Sequence, residues 1–478
     1  MTTLDLALHD MQALFVTAFT DLPNGQYLLL TVKNDVAARH WLSEVLADHL
    51  VATALEVQPP VTERRREVVS VALSHAGLLA MRAAPATPFP SVFSDGIGRP
   101  ERALGLGDAD AALWRWSDAV APEAAQRQVA HLLVAHYWAA DAAPRDSGNG
   151  LFARATLDKA FNMVARVHAD PTFFVQKAHP IEPFGFPDGM AQPEIIGLNV
   201  RKERVFRDAD ASRRAALARN RVATGEFVLG LSNEYNEIAY APNLQGWPAG
   251  PTPFAHGASY VAVRQIRQDV AAFQAFEQAH PAAPGEPSVV EKMIGRRYDG
   301  RPLCLHAPEE GDDFGYAATD AQGFGCPRGA HMRRANPRDT LGQTPEQGEA
   351  NAKLHRLLRR GRSYCAVESC GTVEDCGPET GMMFIALNAD IDRQFALIQR
   401  RWIAGSRFAD LAHESDPILG QTHRAFTIPD PVRGQRLINL PRFTQVVGAG
   451  YFLLPTISGL VFLAKPVPTS ALHLQDIR

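Results

Sequence analysis

Two stretches of this chain, far apart in sequence, follow one plan. "QYLLLTVKNDVAARHWLSEVLA" (residues 26–47) begins as an apolar run of strand type and passes at Asp35 into a helix with apolar residues at helical spacing. "SYVAVRQIRQDVAAFQAFEQA" (residues 259–279) repeats that order, down to a helix start reading "DVAA". A second pair, "VVSVALSHAGLLAM" (68–81) and "MMFIALNADIDRQF" (382–395), reads in each case as a buried strand followed by a helix, with Ser74 and Asn388 placed to cap it. A recurring strand–helix unit constrains the fold to α+β: a duplicated sandwich of two antiparallel sheets with helices on their faces. A chance recurrence of "DVAA" in an alanine-rich chain is the competing reading. Asp35 and Leu73 are 38 residues apart, whereas Asp269 and Leu387 are 118 apart, which implies about 80 residues inserted in the second copy.

With 478 residues, 46% of them apolar, the chain exceeds what one core organises, so two domains are expected, 1–215 and 216–478, meeting near the polar helix "RKERVFRDADASRRAALARNRVATGE". A formal net charge of −4 gives no general attraction for nucleic acid or an anionic membrane. No apolar run reaches the roughly 18 to 20 residues that cross a bilayer, and the N-terminal stretch carries acidic residues where a secretory signal is basic. Five cysteines, odd in number and all in the C-terminal half, suit loop thiols in a reducing cytoplasm better than a disulfide framework.

The chemistry gathers in three segments. "CPRGAHMRRANPRD" (326–339) sets His331 among Arg328, Arg333, Arg334 and Arg338. Zinc is one reading of this region, because Cys304, His306, Cys326 and His331 form C-x-H-x19-C-x4-H, but that meets the paired-ligand spacing of structural zinc only loosely. The spacing of Cys365, Cys370 and Cys376 is likewise looser than an iron–sulfur pattern. "EPFGFPDGMAQP" (182–193) holds Asp188 between Pro187 and Gly189, where the chain must turn and a carboxylate can be fixed at a pocket wall. "LHRLLRRGRSYC" (354–365) offers Arg356, Arg359, Arg360 and Arg362 at an expected helix end.

Together the three segments resemble those of the dye-decolourising peroxidases, a family of haem enzymes, in its longer bacterial and fungal branch. The Gly-x-x-Asp-Gly signature of that family is met by Gly185 to Gly189, its haem-ligand segment by "CPRGAHMRRANPRD", and its order of aspartate, histidine and arginine by Asp188, His331 and Arg359. The resemblance implies two ferredoxin-like domains, with one haem b per chain bound mainly in the C-terminal one. It makes His331 the proximal ligand of the iron, kept neutral by the nearby arginines, with its second N–H given to a carboxylate. Asp392 is the partner by family position, with Asp390 as runner-up; Arg338 and Arg334 would pair with the haem propionates, and Phe384 would pack over the distal face. Asp188 would shuttle a proton between the oxygens of hydrogen peroxide, held ionised by Arg359, which aligns better than Arg360.

The activity implied is reduction of hydrogen peroxide coupled to one-electron oxidation of dyes, phenols or other aromatic substrates. Bulky substrates would react at a surface tyrosine or tryptophan, and a homo-oligomer fits the family. A haem-handling protein with little turnover is the alternative. Three features depart from the family pattern: Pro187 inside the aspartate motif, "RSYC" where proline-tyrosine-glycine is common, and the cysteine-bearing "CAVESCGTVEDC".

Overall fold

The strand β1 (Asn24–Val32) is an apolar run because both its faces are covered: Leu28 and Leu30 join one core, Tyr27 and Leu29 another. The structure, a computed structural model, describes residues 8–58, 65–108, 111–119, 128–142, 145–146, 148–169, 179–304, 313–365 and 379–466. Helix α1 (Asp35–Ala47) is started by Asn34, whose side chain accepts from the Ala37 N–H, and it lays Trp41, Leu42 and Val45 on the outer core. β2 (Glu67–Leu73), β3 (Leu132–Trp138) and β4 (Phe161–Ala169) complete an antiparallel sheet in the order β2–β3–β1–β4.

The second half repeats this order. β5 (Ser259–Gln268) leads into α2 (Val270–Ala279), capped by Asp269; later come the short helix α3 (His331–Ala335), the interrupted strand β6 (Leu358–Arg359) and β7 (Arg362–Tyr364), then β8 (Gly381–Asn388) and β9 (Thr444–Leu454). Its sheet runs β6/β7–β8–β5–β9, so in both halves the second strand lies beside the third, the third beside the first and the first beside the fourth. That is the ferredoxin-like order, twice. The two sheets also meet at both edges, through Ala169 opposite Tyr364 and Leu73 opposite Leu453, and close into one ring. Closure leaves neither sheet an open edge at these seams.

The topology corrects the internal alignment suggested by pattern. β2 is the second strand of its unit, but β8 is the third of its own and corresponds to β3. Both are buried runs, and hydrophobic periodicity carries no record of a strand's place in a sheet. The insertion therefore lies between helix and second strand, in residues 280–357 against 48–66 in the first half. Ser74 caps its helix by accepting from the Gly77 N–H. Asn388 does not cap: Gln394 Oε1 accepts from the Ala389 and Asp390 N–H groups instead, at 3.0 and 2.9 Å. Residues 358–364 form a strand, not a helix end, because Arg360 N–H donates to Ile385 O and Gly361 lies so close to β8 that a Cβ would run into Met383 O.

Cys304 and Cys326 are buried free thiols, whereas Cys365 is disulfide-bonded, which corrects its reading as a loop thiol. Cys370, Cys376 and His306 lie outside the described residues. Among the described residues no helix is long and apolar enough to cross a membrane, and no cluster of three His, Cys, Asp or Glu side chains could hold a metal ion.

Candidate active site

The insertion and the loop 180–192 stand over the outward face of the second sheet, and between them lies a cavity open to solvent. Its walls are mostly apolar, with Ile266, Phe384, Phe395, Ile398, Ile418 and Leu419 among them; Asp188, Arg359, His331 and Arg338 open into it as well. Phe384 thus lines the cavity, beside Phe395 at 6.2 Å between ring centres.

Asp188 owes its place to backbone geometry. Gly185 and Gly189 adopt φ of +96° and +77°, conformations that side-chain-bearing residues rarely take, and Asp188 N–H donates to Pro180 O at 2.8 Å. Arg359 Nη1 stands 3.4 Å from Asp188 Oδ1. The break after β6 decides which arginine reaches the cavity: Arg360 turns to the other side and donates to Leu14 O and Phe15 O, both at 2.7 Å. Arg359 N–H is tied to Gln192 Oε1 at 3.0 Å, which joins the strand to the aspartate loop.

A second carboxyl group faces the same cavity. Glu182 accepts from the Phe184 N–H, the Phe186 N–H and Gln268 Nε2, and burial pushes it up to about 7 against the pull of those donors and with the help of the nearby Asp188 charge. Nothing in the sequence marked it beyond its place at the head of the motif.

On the other wall, His331 opens α3. Its Nδ1 is 2.9 Å from Asp416 Oδ2, so the carboxylate partner is Asp416, not Asp392 or Asp390. Both of those are solvent-exposed, Asp390 being paired with Arg393. Asp416 is fully buried, and its Oδ1 accepts from the Ile418 and Leu419 N–H groups at 2.9 and 2.8 Å. Burial pulls the His331 pKa down, but the charge and hydrogen bond of Asp416 outweigh it and the net direction is upward; Arg359 pulls the other way. Burial likewise opposes ionisation of Asp416, and His331 overcomes it, holding the carboxyl below its usual range. Arg359 thus favours the neutral imidazole and Asp416 the protonated one.

The arginines that flank His331 are mostly spent elsewhere. Arg334 is fully buried and donates to the carbonyls of Gly329, Trp402, Gly405 and Glu414, so it fixes α3 to its surroundings and does not line the cavity. Arg333 donates to Asp320 O and Cys326 O. Arg338 does line the cavity: it sits at φ +53°, a strained conformation for a side-chain-bearing residue, with its guanidinium 3.8 Å over the Phe314 ring. Arg296 and Arg356 join it on the cavity wall.

The donor set suits a flat apolar cofactor with acidic groups. His331 has one ring nitrogen engaged and the other without a hydrogen-bond partner among the described residues, the walls are mostly aliphatic and aromatic, and cationic side chains stand on the same lining.

Residues 225–427 match the family model of the Dyp-type peroxidase C-terminal region. The chain is 29% identical over 307 residues to the multifunctional dye peroxidase DyP2 of Amycolatopsis sp., a match covering 59% of this chain and 60% of that protein. It is 25% identical over 310 residues to the dye-decolorizing peroxidase AauDyP1 of Auricularia auricula-judae, covering 58% and 55%. The match thus spans less than two thirds of either relative. In fold it is similar to the DyP-type peroxidase of Anabaena sp., with a TM-score of 0.72 at 20% identity over 96% of this chain and 95% of that one.

Proposed function

We propose that the chain is a member of the Dyp-type peroxidase family, whose C-terminal model matches residues 225–427, and a haem peroxidase that reduces hydrogen peroxide and oxidises dyes, phenols or other aromatic reductants by one-electron steps. One observation carries the reading: His331, with Nδ1 taken by Asp416, and the Asp188–Arg359 pair open into one apolar cavity. Haem b, one per chain, supplies the redox chemistry when bound. His331 would hold its iron through Nε2, and Arg338, with Arg356, would hold its carboxylates. Arg334 and Asp392, directed elsewhere, have no part in this scheme.

Asp188 would take a proton from one oxygen of hydrogen peroxide and return it to the other, work typically worth ~10² to 10⁴ in rate. Arg359 stands beside that carboxyl group and would offset negative charge developing on the departing oxygen. Asp416 fixes the tautomer and direction of His331 and strengthens it as a donor. Phe384 and its apolar neighbours would pack against the cofactor's apolar surface.

In this reading residues 1–215 form the domain that supplies Asp188, and residues 216–478 the domain that supplies His331. Hydrogen peroxide and an aromatic reductant are the partners, with no nucleic acid or membrane, and a homo-oligomer fits the family. A cytoplasmic location belongs to the same reading; the Cys365 disulfide weighs against it, since disulfides persist in oxidising compartments. A haem-handling protein without turnover has no use for the Asp188–Arg359 pair. Peroxide-dependent bleaching of an anthraquinone dye by wild type and Asp188→Ala separates the two: equal, negligible rates would remove the peroxidase reading.

A further inference from the structure

We propose that Glu182 is the positioning residue of the peroxide-facing loop: its carboxyl group is the hub that joins the loop's main chain to Gln268 of β5 and thereby holds Asp188 in place against Arg359. The inference rests on the peroxidase reading and adds a residue that the reading does not require.

The loop closes around its own first side chain. Phe184 N–H donates to Glu182 Oε2 at 3.1 Å and Phe186 N–H to Oε1 at 3.0 Å. Gly185 N–H donates to the Glu182 carbonyl at 2.8 Å, and Glu182 N–H to the Phe186 carbonyl at 2.9 Å. Pro187 has no N–H to place, and Asp188 N–H is spent on Pro180 O. From residue 184 to residue 188 every main-chain donor is therefore accounted for, two of them by the Glu182 carboxyl. Both carboxyl oxygens accept here; glutamine would turn an NH2 group toward one of these N–H donors.

Three further contacts bind the hub to the second half of the molecule. Gln268, at the end of β5, donates through Nε2 to Glu182 Oε2 at 2.7 Å, and its own Oε1 is buried with no hydrogen-bond partner among the described residues. That amide is thus committed to Glu182 alone. Phe184 stacks on Phe273 of α2 at 4.1 Å, and Phe186 on Tyr298 at 4.4 Å between ring centres.

Asp188 needs this support because its own ion pair does not lock it. The 3.4 Å to Arg359 is longer than the ~2.7–2.9 Å of a tight charge-assisted hydrogen bond. Glu182 has its acceptors filled by the loop and Gln268, so it acts through Asp188 and not on the peroxide. An error of about 1 Å in a group of this kind costs on the order of 10²-fold in rate.

The test uses the haem-loaded full chain, with cyanide as probe, because hydrogen cyanide must give up its proton to a base in the cavity before it binds as an anion. Wild type, Glu182→Gln, Gln268→Leu, Asp188→Ala and the Glu182→Gln/Asp188→Ala double variant are compared by Soret absorption and by the pH profile of cyanide association. Glu182→Gln should keep its haem and associate cyanide roughly 10- to 10²-fold more slowly, with Gln268→Leu falling between it and wild type. The double variant should be no slower than Asp188→Ala, because both changes act on one group. Wild-type profiles in both Glu182→Gln and Gln268→Leu, or additive losses in the double variant, would overturn the proposal. Should Glu182→Gln fail to fold, Gln268→Leu decides, since it leaves the loop's own hydrogen bonds intact. A wild-type rate in Asp188→Ala would instead overturn the peroxidase reading, and this inference with it.

Discussion

The two halves share one strand order and treat the outer face of their sheets in opposite ways. In the first, α1 lies directly on the sheet, and Trp41, Leu42 and Val45 fill the space over Leu28 and Leu30. In the second, residues 280–357 intervene between α2 and β6, α2 packs Phe273 and Phe276 against Phe443 and Phe184, and the sheet face around Ile266 and Phe384 is left as a cavity wall. A duplicated fold therefore offers two equivalent faces, and whether a face becomes core or binding site depends on what its crossover segment does with it. The insertion does two things here: it holds the covering elements off the sheet, and it carries His331.

The comparison predicts effects of different kinds on the two sides. His331→Ala should abolish haem retention in a protein that still folds, checked by absorption and circular dichroism; full retention would mean that the second half binds its cofactor otherwise. Asp188→Ala should keep haem and lose about 10²- to 10⁴-fold in peroxide turnover, measured as kcat/KM. In the filled half, Trp41→Ala should cost about 3–5 kcal/mol by denaturant unfolding and leave the Soret band where it was. A displaced band would show that the first half's core takes part in the site. Asp416→Asn removes the charge behind His331 and should weaken haem affinity or activity by about 10- to 100-fold, read by haem titration.

The smallest expected effect is on pH dependence. Glu182 ionises at about 7 in the folded chain, above the ordinary glutamate value of 4.5, so the folded protein binds its proton the more tightly. Its contribution to the stability of the haem-free protein is complete below pH 4.5 and is lost as pH rises through 7. Glu182→Gln should flatten that decline in thermal melts across the same range; an unchanged slope would assign it to other groups.

The legible parts of this site were those whose chemistry is local. Asp188, Arg359 and His331 were found because each sits in a short segment that resembles the family's, Asp188 in one where a proline and two glycines also dictate a turn. Asp416 was missed because it stands 85 residues from its histidine, in a stretch with no pattern of its own. Arg334 was misread because residue type cannot say which way a side chain leaves a five-residue helix; four carbonyls claim its guanidinium. The same limit moved the internal repeat by one strand: β2 and β8 look alike as buried runs, and only pairing distinguishes a second strand from a third. The hub at Glu182 was hidden because its partners are main-chain N–H groups, which no side-chain motif records.

The central claim is that the second half's open sheet face, with His331 on one wall and the Asp188–Arg359 pair on another, is a haem site. Titrating haem into the full-length wild-type protein tests it most directly, followed by the Soret band. The account predicts a sharp band that saturates at one haem per chain. A spectrum indistinguishable from free haem, or one that never saturates, would contradict it.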